Sequence, residues 1–471
     1  MQTNKAQREN WGTRFGFLMA ATGSAVGLGN IWRFPYITGE NGGSAFIIIY
    51  LLCIIAIGLS IMIAEFAVGR RTSLSAVGAY KSQNENWTFA GALGVLSAFF
   101  IMGFYPVVGG WSLAYVFKSA TGLLAAPEAI SSAFDAFAGA TIEPLIWTII
   151  YMVINVIIVA KGISGGIEKA SKVLMPALFA LLVIVIIKGI NLPGASEGLA
   201  YLFKPDWSQV TGGTVLAALG QSFFTLSLGM GCMITYGSYL GKQERIPADA
   251  TSVVAMDTMV AIMAGLAIFP ALFAFGMEPT AGPGLVFVVV PAIFAHMGNV
   301  GPLISITFFA ALTVAALTSS MSLLEVAVSY LIDEKKMNRK TATYLSAGIM
   351  TVMCILSSLS MGSLSGIKLF GVNFFDFFDI LTDKIFLAIG GMLLTIFVGW
   401  FMRKEDLKNE ITNNGTLPFG LFGVWYNIVK YVIPVVIAVV AIAGIAAIEQ
   451  KSLMLFGLLV IVLLGVFSRK L

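Results

Sequence analysis

The sequence is poor in charge and almost lacks histidine. Only 11% of its 471 residues are charged and 58% are hydrophobic, whereas a soluble domain carries about 25% charge. This composition excludes an ordinary soluble enzyme. The single histidine, His296, and the absence of an H-E-x-x-H motif exclude sites built on several histidines. The three cysteines lie in apolar segments and are interpreted as small buried hydrophobes.

The sequence contains several long apolar segments. The segments 145–160 and 173–187 contain no charged residue, and a helix needs about 20 apolar residues to cross a membrane. Dividing the chain at charged or Pro/Gly-rich breaks predicts an all-α membrane protein with twelve spans, or eleven if the short last one does not cross. We number them spans 1 to 12: 12–37, 43–70, 88–118, 144–161, 168–187, 211–240, 247–276, 301–332, 340–358, 373–402, 422–447 and 452–468.

The positive charges predict the orientation of these spans, because lysine and arginine accumulate in short cytoplasmic loops. With a cytoplasmic amino terminus, 20 of the 28 basic residues lie on the inner side. We therefore expect a multi-pass protein of the cell membrane, and the net charge of +4 does not indicate a nucleic-acid partner. Three basic residues, Arg33, Lys384 and Lys430, fall inside spans.

Two spans contain a stretch that disfavours a continuous helix. In span 1, Gly23, Gly27 and Gly29 each cost roughly 1 kcal/mol relative to alanine in a helix, and 225–231 in span 6 has a similar composition. Unwound backbone inside a membrane is tolerated only against protein, water or a ligand. Because spans 1 and 6 open two five-helix halves, the pattern favours an inverted-repeat transporter with a midplane site. Close helix packing on small residues is the alternative.

The polar residues at these breaks suit particular ligands. Freed carbonyls with hydroxyl and amide oxygens are hard ligands, as sodium prefers, and the positive ends of half-helices suit a carboxylate. In span 8, Thr318 and Ser319 could add two hydroxyls, although such hydroxyls often bond their own helix. The sequence has no nucleophile–base pair and no nucleotide loop, so no enzymatic chemistry is expected.

Several ordered motifs resemble the neurotransmitter:sodium symporter family, and the resemblance extends to about residue 447. They are Arg8-x-x-Trp11, Asn30-Ile31-Trp32-Arg33-Phe34-Pro35, Glu40-Asn41-Gly42-Gly43, Gly220-Gln221-x-Phe223-Phe224-Thr225-Leu226-Ser227 and Thr318-Ser319-Ser320. The resemblance implies inverted repeats at 1–200 and 201–405, peripheral helices at 406–471, and sodium-coupled import of an amino acid by alternating access.

The resemblance also implies which residues bind the ligands. The first sodium site would comprise Ala25, Asn30, Thr225 and Asp257 with the substrate carboxylate, and the second Gly23, Val26, Ala315, Thr318 and Ser319. The substrate site would comprise Ser24, Ala25, Gly27, Leu28, Gly29, Ile101, Tyr105, Phe224, Thr225, Ser227, Met230, Ser319 and Leu323. The gates would comprise Arg33 with Asp376 or Asp379 outside, and Arg8, Trp11, Tyr239 and Asp333 inside.

Two departures refine this expectation. Asp257 stands where the family often has asparagine, and Ala261 where chloride-dependent members have serine, so the carboxylate is expected to replace chloride. The apolar pocket lining and the deformable Met230 favour a large hydrophobic or aromatic L-amino acid. The alternatives are a proton-coupled amino acid transporter, in which Asp257 or Glu65 would titrate, and an ion channel. The oligomeric state is left open.

Overall fold

The computed structural model describes residues 9–277 and 285–470 as a bundle of helices. Eight of the described helices are long and apolar enough to cross a membrane, and two bent helix pairs raise the number to as many as ten. Among the described residues, β pairing is limited to one isolated bridge between Leu369 and Val372. The fold is therefore the all-helical membrane architecture that the composition predicts.

Helices occupy all twelve of the predicted spans. Span 1 consists of Arg14–Ala25 and Gly29–Glu40, bent by 49°, and span 6 consists of Gly212–Thr225 and Cys232–Gly237. The remaining spans are Ser44–Thr72, Glu85–Ala120, Glu143–Val159, Ile163–Ile190, Ile246–Ala274, Gly301–Lys335, Arg339–Leu359, Phe374–Phe401, Phe422–Ala446 and Lys451–Val466. Spans 1–5 and 6–10 form two repeats, and each repeat begins with a broken helix.

Whether the chain crosses the membrane twelve or eleven times depends on span 12. Its helix Lys451–Val466 has 16 residues, which is about 24 Å at 1.5 Å per residue. The hydrocarbon layer is about 30 Å thick. The helix is thus at the lower limit for crossing, and both counts remain compatible with the fold.

Span 8 is the central element and fixes where the broken helices meet. It has 35 residues and packs against spans 1, 3 and 5. Its stretch from Ala315 to Val328 is buried. Five of the first six residues of that stretch, 315–320, are alanine, serine or threonine. Small residues allow backbones to approach closely in membranes, so both helix breaks can lie against this face.

Helices outside the spans cover the two ends of the bundle. On one side, the short helix Val289–Ala295 follows Phe287, whose ring packs against Trp111 at 5.9 Å between centroids. The sequence predicts a partly inserted cap here, but part of it, 278–284, lies outside the described residues. On the other side, the helix Lys404–Thr412 is tied to the end of span 2 by an ion pair of 2.7 Å between Glu410 and Arg70.

Candidate functional site

The break in span 1 leaves backbone oxygens without helical partners. The first half of the span ends at Ala25 because Val26 is extended, with φ −71° and ψ 114°. The amide of Val26 still donates to the carbonyl of Thr22 at 2.7 Å. Within the described chain, no backbone N–H reaches the carbonyls of Gly23 or Ala25. These two oxygens are therefore free to bind a cation, as the sequence predicts for both.

The break in span 6 depends on left-handed backbone. Gly229 and Gly231 have φ values of 77° and 79°, and Ser227 has a φ of 53° although it is not glycine. A Cβ on Gly229 would also lie 2.9 Å from the amide nitrogen of Gly391 in span 10. Non-glycine residues in this region cost about 1–3 kcal/mol. The Ser227 hydroxyl offsets this cost by donating to the Ser24 carbonyl at 2.8 Å, which joins the two breaks.

Three side chains from spans 1, 6 and 7 meet next to the breaks. The Asn30 amide donates to a carboxylate oxygen of Asp257 at 2.8 Å, and the Thr225 hydroxyl donates to the same carboxylate at 3.1 Å. The Asn30 amide oxygen accepts from the Gly27 amide at 3.0 Å. All three side chains are at most 1% exposed. This is the oxygen-rich cluster that the sequence assigns to the first sodium site.

Asp257 is the electrostatically distinctive member of this cluster. It is fully buried, and among residues 9–277 and 285–470 no lysine, arginine or histidine lies within 4.0 Å of its carboxylate. A buried carboxylate is unfavourable unless it is paired with a cation or coordinates a metal. The residues present therefore suit a small monovalent cation that uses oxygen ligands.

Three of the residues named for the second sodium site, Gly23, Ala315 and Thr318, are also brought together. A Cβ on Gly23 would lie 2.8 Å from the Thr318 Cβ, so spans 1 and 8 are in direct contact there. The Thr318 hydroxyl donates to the carbonyls of Val314 and Ala315, at 3.1 Å and 3.0 Å. This is the bonding to its own helix that the alternative interpretation expected, and it leaves the hydroxyl oxygen available as an acceptor.

The proposed substrate residues divide into an outer and a buried group. Leu28, Tyr105 and Phe224 line a cavity of about 420 Å³. The Tyr105 hydroxyl accepts from the Leu28 amide at 3.0 Å. Other members of the set are at most 4% exposed and do not line that cavity. They are Ser24, Ala25, Ile101, Ser227, Met230 and Leu323.

The outer ion pair differs from the predicted one. Arg33 pairs with Asp383, with 2.5 Å between Nη1 and Oδ1, rather than with Asp376 or Asp379. Its guanidinium carbon also lies 4.5 Å from the centre of the Phe224 ring. Asp376 and Asp379 both line the same cavity, and Asn373 donates to Asp376 at 2.8 Å.

Two π-helical turns explain this correction. One covers Gly29–Arg33 and the other Thr382–Phe386, and a π turn shifts the direction of the side chains that follow it. Asp376, Asp379 and Asp383 are spaced i, i+3 and i+7, so they share a helical face. This spacing was the signal in the sequence that could have included Asp383 among the candidates.

The inner side contains the aromatic residues that the sequence names. The Trp11 indole donates to the Tyr236 carbonyl at 3.1 Å, and its ring centre lies 6.2 Å from that of Tyr239. Asp333 accepts from the Ser75 amide at 2.5 Å. The predicted partner of Asp333, Arg8, lies outside the described residues, so that ion pair stays a prediction.

A buried network on this side was missed from the sequence. Glu325 is fully buried, accepts from the Tyr239 hydroxyl at 2.7 Å and pairs with Arg339 at 2.8 Å. Arg339 also pairs with Glu9 at 2.7 Å. Separately from this network, Glu168 accepts from the Gly12 amide at 2.6 Å. The members of the network are far apart in the sequence, so no local spacing could have revealed it.

Comparison with known proteins decides the family. The model of the sodium:neurotransmitter symporter family matches residues 8–135 and 129–457. The chain belongs to this family. It is a membrane transporter of the sodium-dependent class and not an enzyme.

Individual relatives agree with this assignment over nearly the whole chain. The "Uncharacterized sodium-dependent transporter YhdH" of Bacillus subtilis is 38% identical over 436 residues, covering 91% of this symporter and 96% of the relative. An "Uncharacterized sodium-dependent transporter" of Haemophilus influenzae is 37% identical over 460 residues, covering 94% and 100%. A solved structure, MhsT in complex with L-phenylalanine, is 44% identical with a TM-score of 0.85, covering 93% and 100%.

Proposed function

We propose that this symporter imports L-amino acids together with two sodium ions by alternating access, and that it prefers large hydrophobic or aromatic substrates. The observation that carries the proposal is Asp257, a fully buried carboxylate with no basic partner in the described chain, bonded by Asn30 and Thr225. A sodium ion at this point neutralises the carboxylate. The substrate carboxylate is the remaining ligand, so ion and substrate bind together.

The second sodium ion binds between spans 1 and 8. Its ligands are the carbonyls of Gly23, Val26 and Ala315 with the hydroxyl oxygens of Thr318 and Ser319. The close contact between Gly23 and Thr318 supports this assignment. Because the site joins the broken helix to span 8, binding of the ion holds the first half of span 1 in place.

Transport is independent of chloride in this proposal. Asp257 supplies a fixed negative charge next to the first sodium ion, and Ala261, one helix turn further along span 7, has no hydroxyl with which to bind an anion. A second negative ion in the same buried space would be repelled by the carboxylate. The carboxylate therefore takes the electrostatic role that chloride has in chloride-dependent members.

The substrate binds where the two breaks meet. Its carboxylate contacts the amides of Leu28 and Gly29 and the Tyr105 hydroxyl, and the bond of 3.0 Å between Leu28 and Tyr105 supports this position because both groups can donate to an anion. Its ammonium contacts the carbonyls of Ser24, Phe224 and Thr225 with the Ser227 hydroxyl. Ile101, Met230 and Leu323 form an apolar wall around the side chain.

The apolar wall supports the substrate preference. Burying a large apolar side chain contributes about 1.5–3 kcal/mol, so leucine, phenylalanine or tryptophan should bind at least about tenfold more tightly than glycine. A solved relative, MhsT, contains L-phenylalanine. Charged side chains would be rejected, because Ile101, Met230 and Leu323 are apolar and offer them no opposite charge.

Alternating access requires a closure on each side of the site. The outer closure is made by Arg33, Asp383 and Phe224, and the inner closure by the aromatic and charged network around Trp11, Tyr239 and Asp333. The amino terminus is cytoplasmic in the cell membrane. The repeats are 1–200 and 201–405, with 406–471 peripheral.

Uptake into proteoliposomes tests the proposal. We expect labelled phenylalanine to accumulate with an inward sodium gradient, equally well in chloride and gluconate. Asp257→Asn should reduce uptake at least about tenfold by weakening sodium binding, whereas Asp206→Asn, at an exposed loop acid, should have no effect. Accumulation driven by a proton gradient without sodium would favour the proton-coupled alternative, and a chloride requirement would contradict the role of Asp257.

A second measurement isolates the second sodium site. Thr318→Ala with Ser319→Ala removes two oxygen ligands and should abolish sodium-driven uptake in protein that remains monodisperse. Thr313→Ala is a matched control, since Thr313 is in the same span and its hydroxyl bonds only to the Phe309 carbonyl at 2.7 Å. Unchanged sodium affinity in the double variant would exclude this site.

A further inference from the structure

Lys430 is a basic residue inside span 11 that the transport site does not use. Its ammonium lies 4.5 Å from the ring centre of Trp400, 5.5 Å from that of Tyr431 and 5.8 Å from that of Tyr426. None of the ion pairs in the described chain includes Lys430. The cation is therefore held by aromatic rings, which orient it without neutralising its charge.

The backbone around Lys430 holds this arrangement in place. Spans 10 and 11 cross at two facing π turns, Phe397–Phe401 and Ile428–Val432. A Cβ on Gly399 would lie 2.8 Å from the Lys430 Cα, so the crossing is close. The Trp400 indole donates to the Lys430 carbonyl at 3.1 Å. The residue four positions after Lys430 is Pro434, which has no N–H to donate to this carbonyl.

Two more cations lie beside this crossing. The Lys404 ammonium is 5.1 Å from the ring centre of Tyr426, so it shares that ring with Lys430. Arg403 and Lys404 are exposed, and neither takes part in an ion pair of the described chain. We call the set Trp400, Arg403, Lys404, Tyr426, Lys430 and Tyr431 the cationic platform.

The acids of the neighbouring helix are engaged elsewhere. In Lys404–Thr412, Asp406 pairs with Arg71 at 3.0 Å, and Glu410 pairs with Arg70 and Lys242, each at 2.7 Å. These two acids bind the helix to the protein. Glu405 is the exposed acid that remains next to the platform, so the platform keeps a surplus of positive charge.

The exposed aromatic rings of the platform indicate a position at the depth of the lipid headgroups. Trp400 is 57% exposed and Tyr431 is 55% exposed, and tryptophan and tyrosine concentrate at the membrane interface. Oriented cations at this depth bind anionic phosphates. We propose that the cationic platform binds the phosphate of an anionic phospholipid in the leaflet that the proposed orientation assigns to the cytoplasm.

Native mass spectrometry of the full-length protein in neutral detergent tests the proposal. Phosphatidylglycerol and phosphatidylcholine with identical acyl chains are titrated separately, and bound lipid is counted. The wild type retains phosphatidylglycerol at least tenfold better. Lys404→Gln with Lys430→Gln removes most of this preference, at about fivefold per charge. Equal retention of both lipids by the wild type overturns the proposal.

Control variants separate the platform from general surface charge. Lys340→Gln, at an exposed inner-side lysine without an ion pair in the described chain, keeps the preference, and so does Lys430→Arg. If Lys430→Gln does not fold, Arg403→Gln with Lys404→Gln gives the same test at exposed positions. A preference that survives Arg403→Gln with Lys404→Gln, or Lys404→Gln with Lys430→Gln, overturns the proposal. Phenylalanine binding is measured on the same samples, so a failed lipid test leaves the proposed function untouched.

Discussion

The two ends of the central site are closed in different ways. At the outer end, Arg33 pairs with Asp383, and these side chains are 17% and 15% exposed. Asp383 also pairs with its neighbour Lys384 at 3.1 Å. The pair of Arg33 and Asp383 borders two cavities of about 420 Å³ each. At the inner end, Glu325 is fully buried and bonded by both Tyr239 and Arg339.

This difference indicates which end opens more easily. Separating the outer pair breaks one charge-assisted hydrogen bond, worth about 1.5–3 kcal/mol at most. Opening the inner end would expose a buried ion pair together with the contacts of Trp11, and removing one partner of such a pair alone costs about 3–5 kcal/mol. We therefore expect the outer end to open more readily than the inner end.

The largest expected effect comes from breaking the inner network. Glu325→Gln leaves Arg339 without its buried partner, at a cost of about 3–5 kcal/mol, so the inner end should open. We expect uptake to fall more than about tenfold. Maleimide labelling of Cys232, which is buried in the inner half of span 6, should rise in a background with Cys53→Ser and Cys354→Ser.

A matched change on the same helix checks that result. Glu334→Gln removes a partly exposed acid that lies 3.7 Å from Lys81, and labelling of Cys232 should stay at the wild-type level. If Glu325→Gln also left labelling unchanged, the inner network would not control access, and the contrast between the two ends would be lost.

An intermediate effect distinguishes the acids of the outer end. Asp383→Asn removes the charge that pairs with Arg33 and should slow uptake about tenfold, close to the loss of one charge-assisted bond. Asp379→Asn, at an acid that lines the cavity without pairing with Arg33, should change uptake less than about threefold. Initial rates of phenylalanine uptake measure both. A larger loss with Asp379→Asn would indicate that Asp379, one of the two acids predicted from the sequence, is the functional partner of Arg33.

The smallest expected effect comes from replacing Phe224, whose ring lies next to the Arg33 guanidinium. Phe224→Leu keeps an apolar cover over the site but removes the aromatic face 4.5 Å from the guanidinium. Such a contact is worth about 0.5–2 kcal/mol, so substrate release towards the outside should accelerate a few-fold. Phe15→Leu, at a ring in span 1 that is 54% exposed, is the control. Equal release rates in both variants would show that Phe224 does not contribute to the closure.

The sequence predicted the spans and the helix breaks for physical reasons that are local. Apolar length alone identifies a membrane helix, and all twelve windows contain helices. Glycine at positions 229 and 231 is required by the left-handed backbone seen there. The local spacing of the acids in span 10 could have made Asp383 a candidate partner of Arg33. The choice among the three acids was not local information, because it depends on how spans 1 and 10, about 350 residues apart, pack together.

The sequence by itself determined the membrane architecture, the two breaks and the residue types that could bind a cation. Only the tertiary structure decided that Asn30 and Thr225 both bond to Asp257, that Asp383 pairs with Arg33, and that Glu325 pairs with Arg339. Hydrophobic length and backbone freedom are properties of neighbouring residues. The partner of a buried charge is instead fixed by helix packing, which brings together residues far apart in the chain.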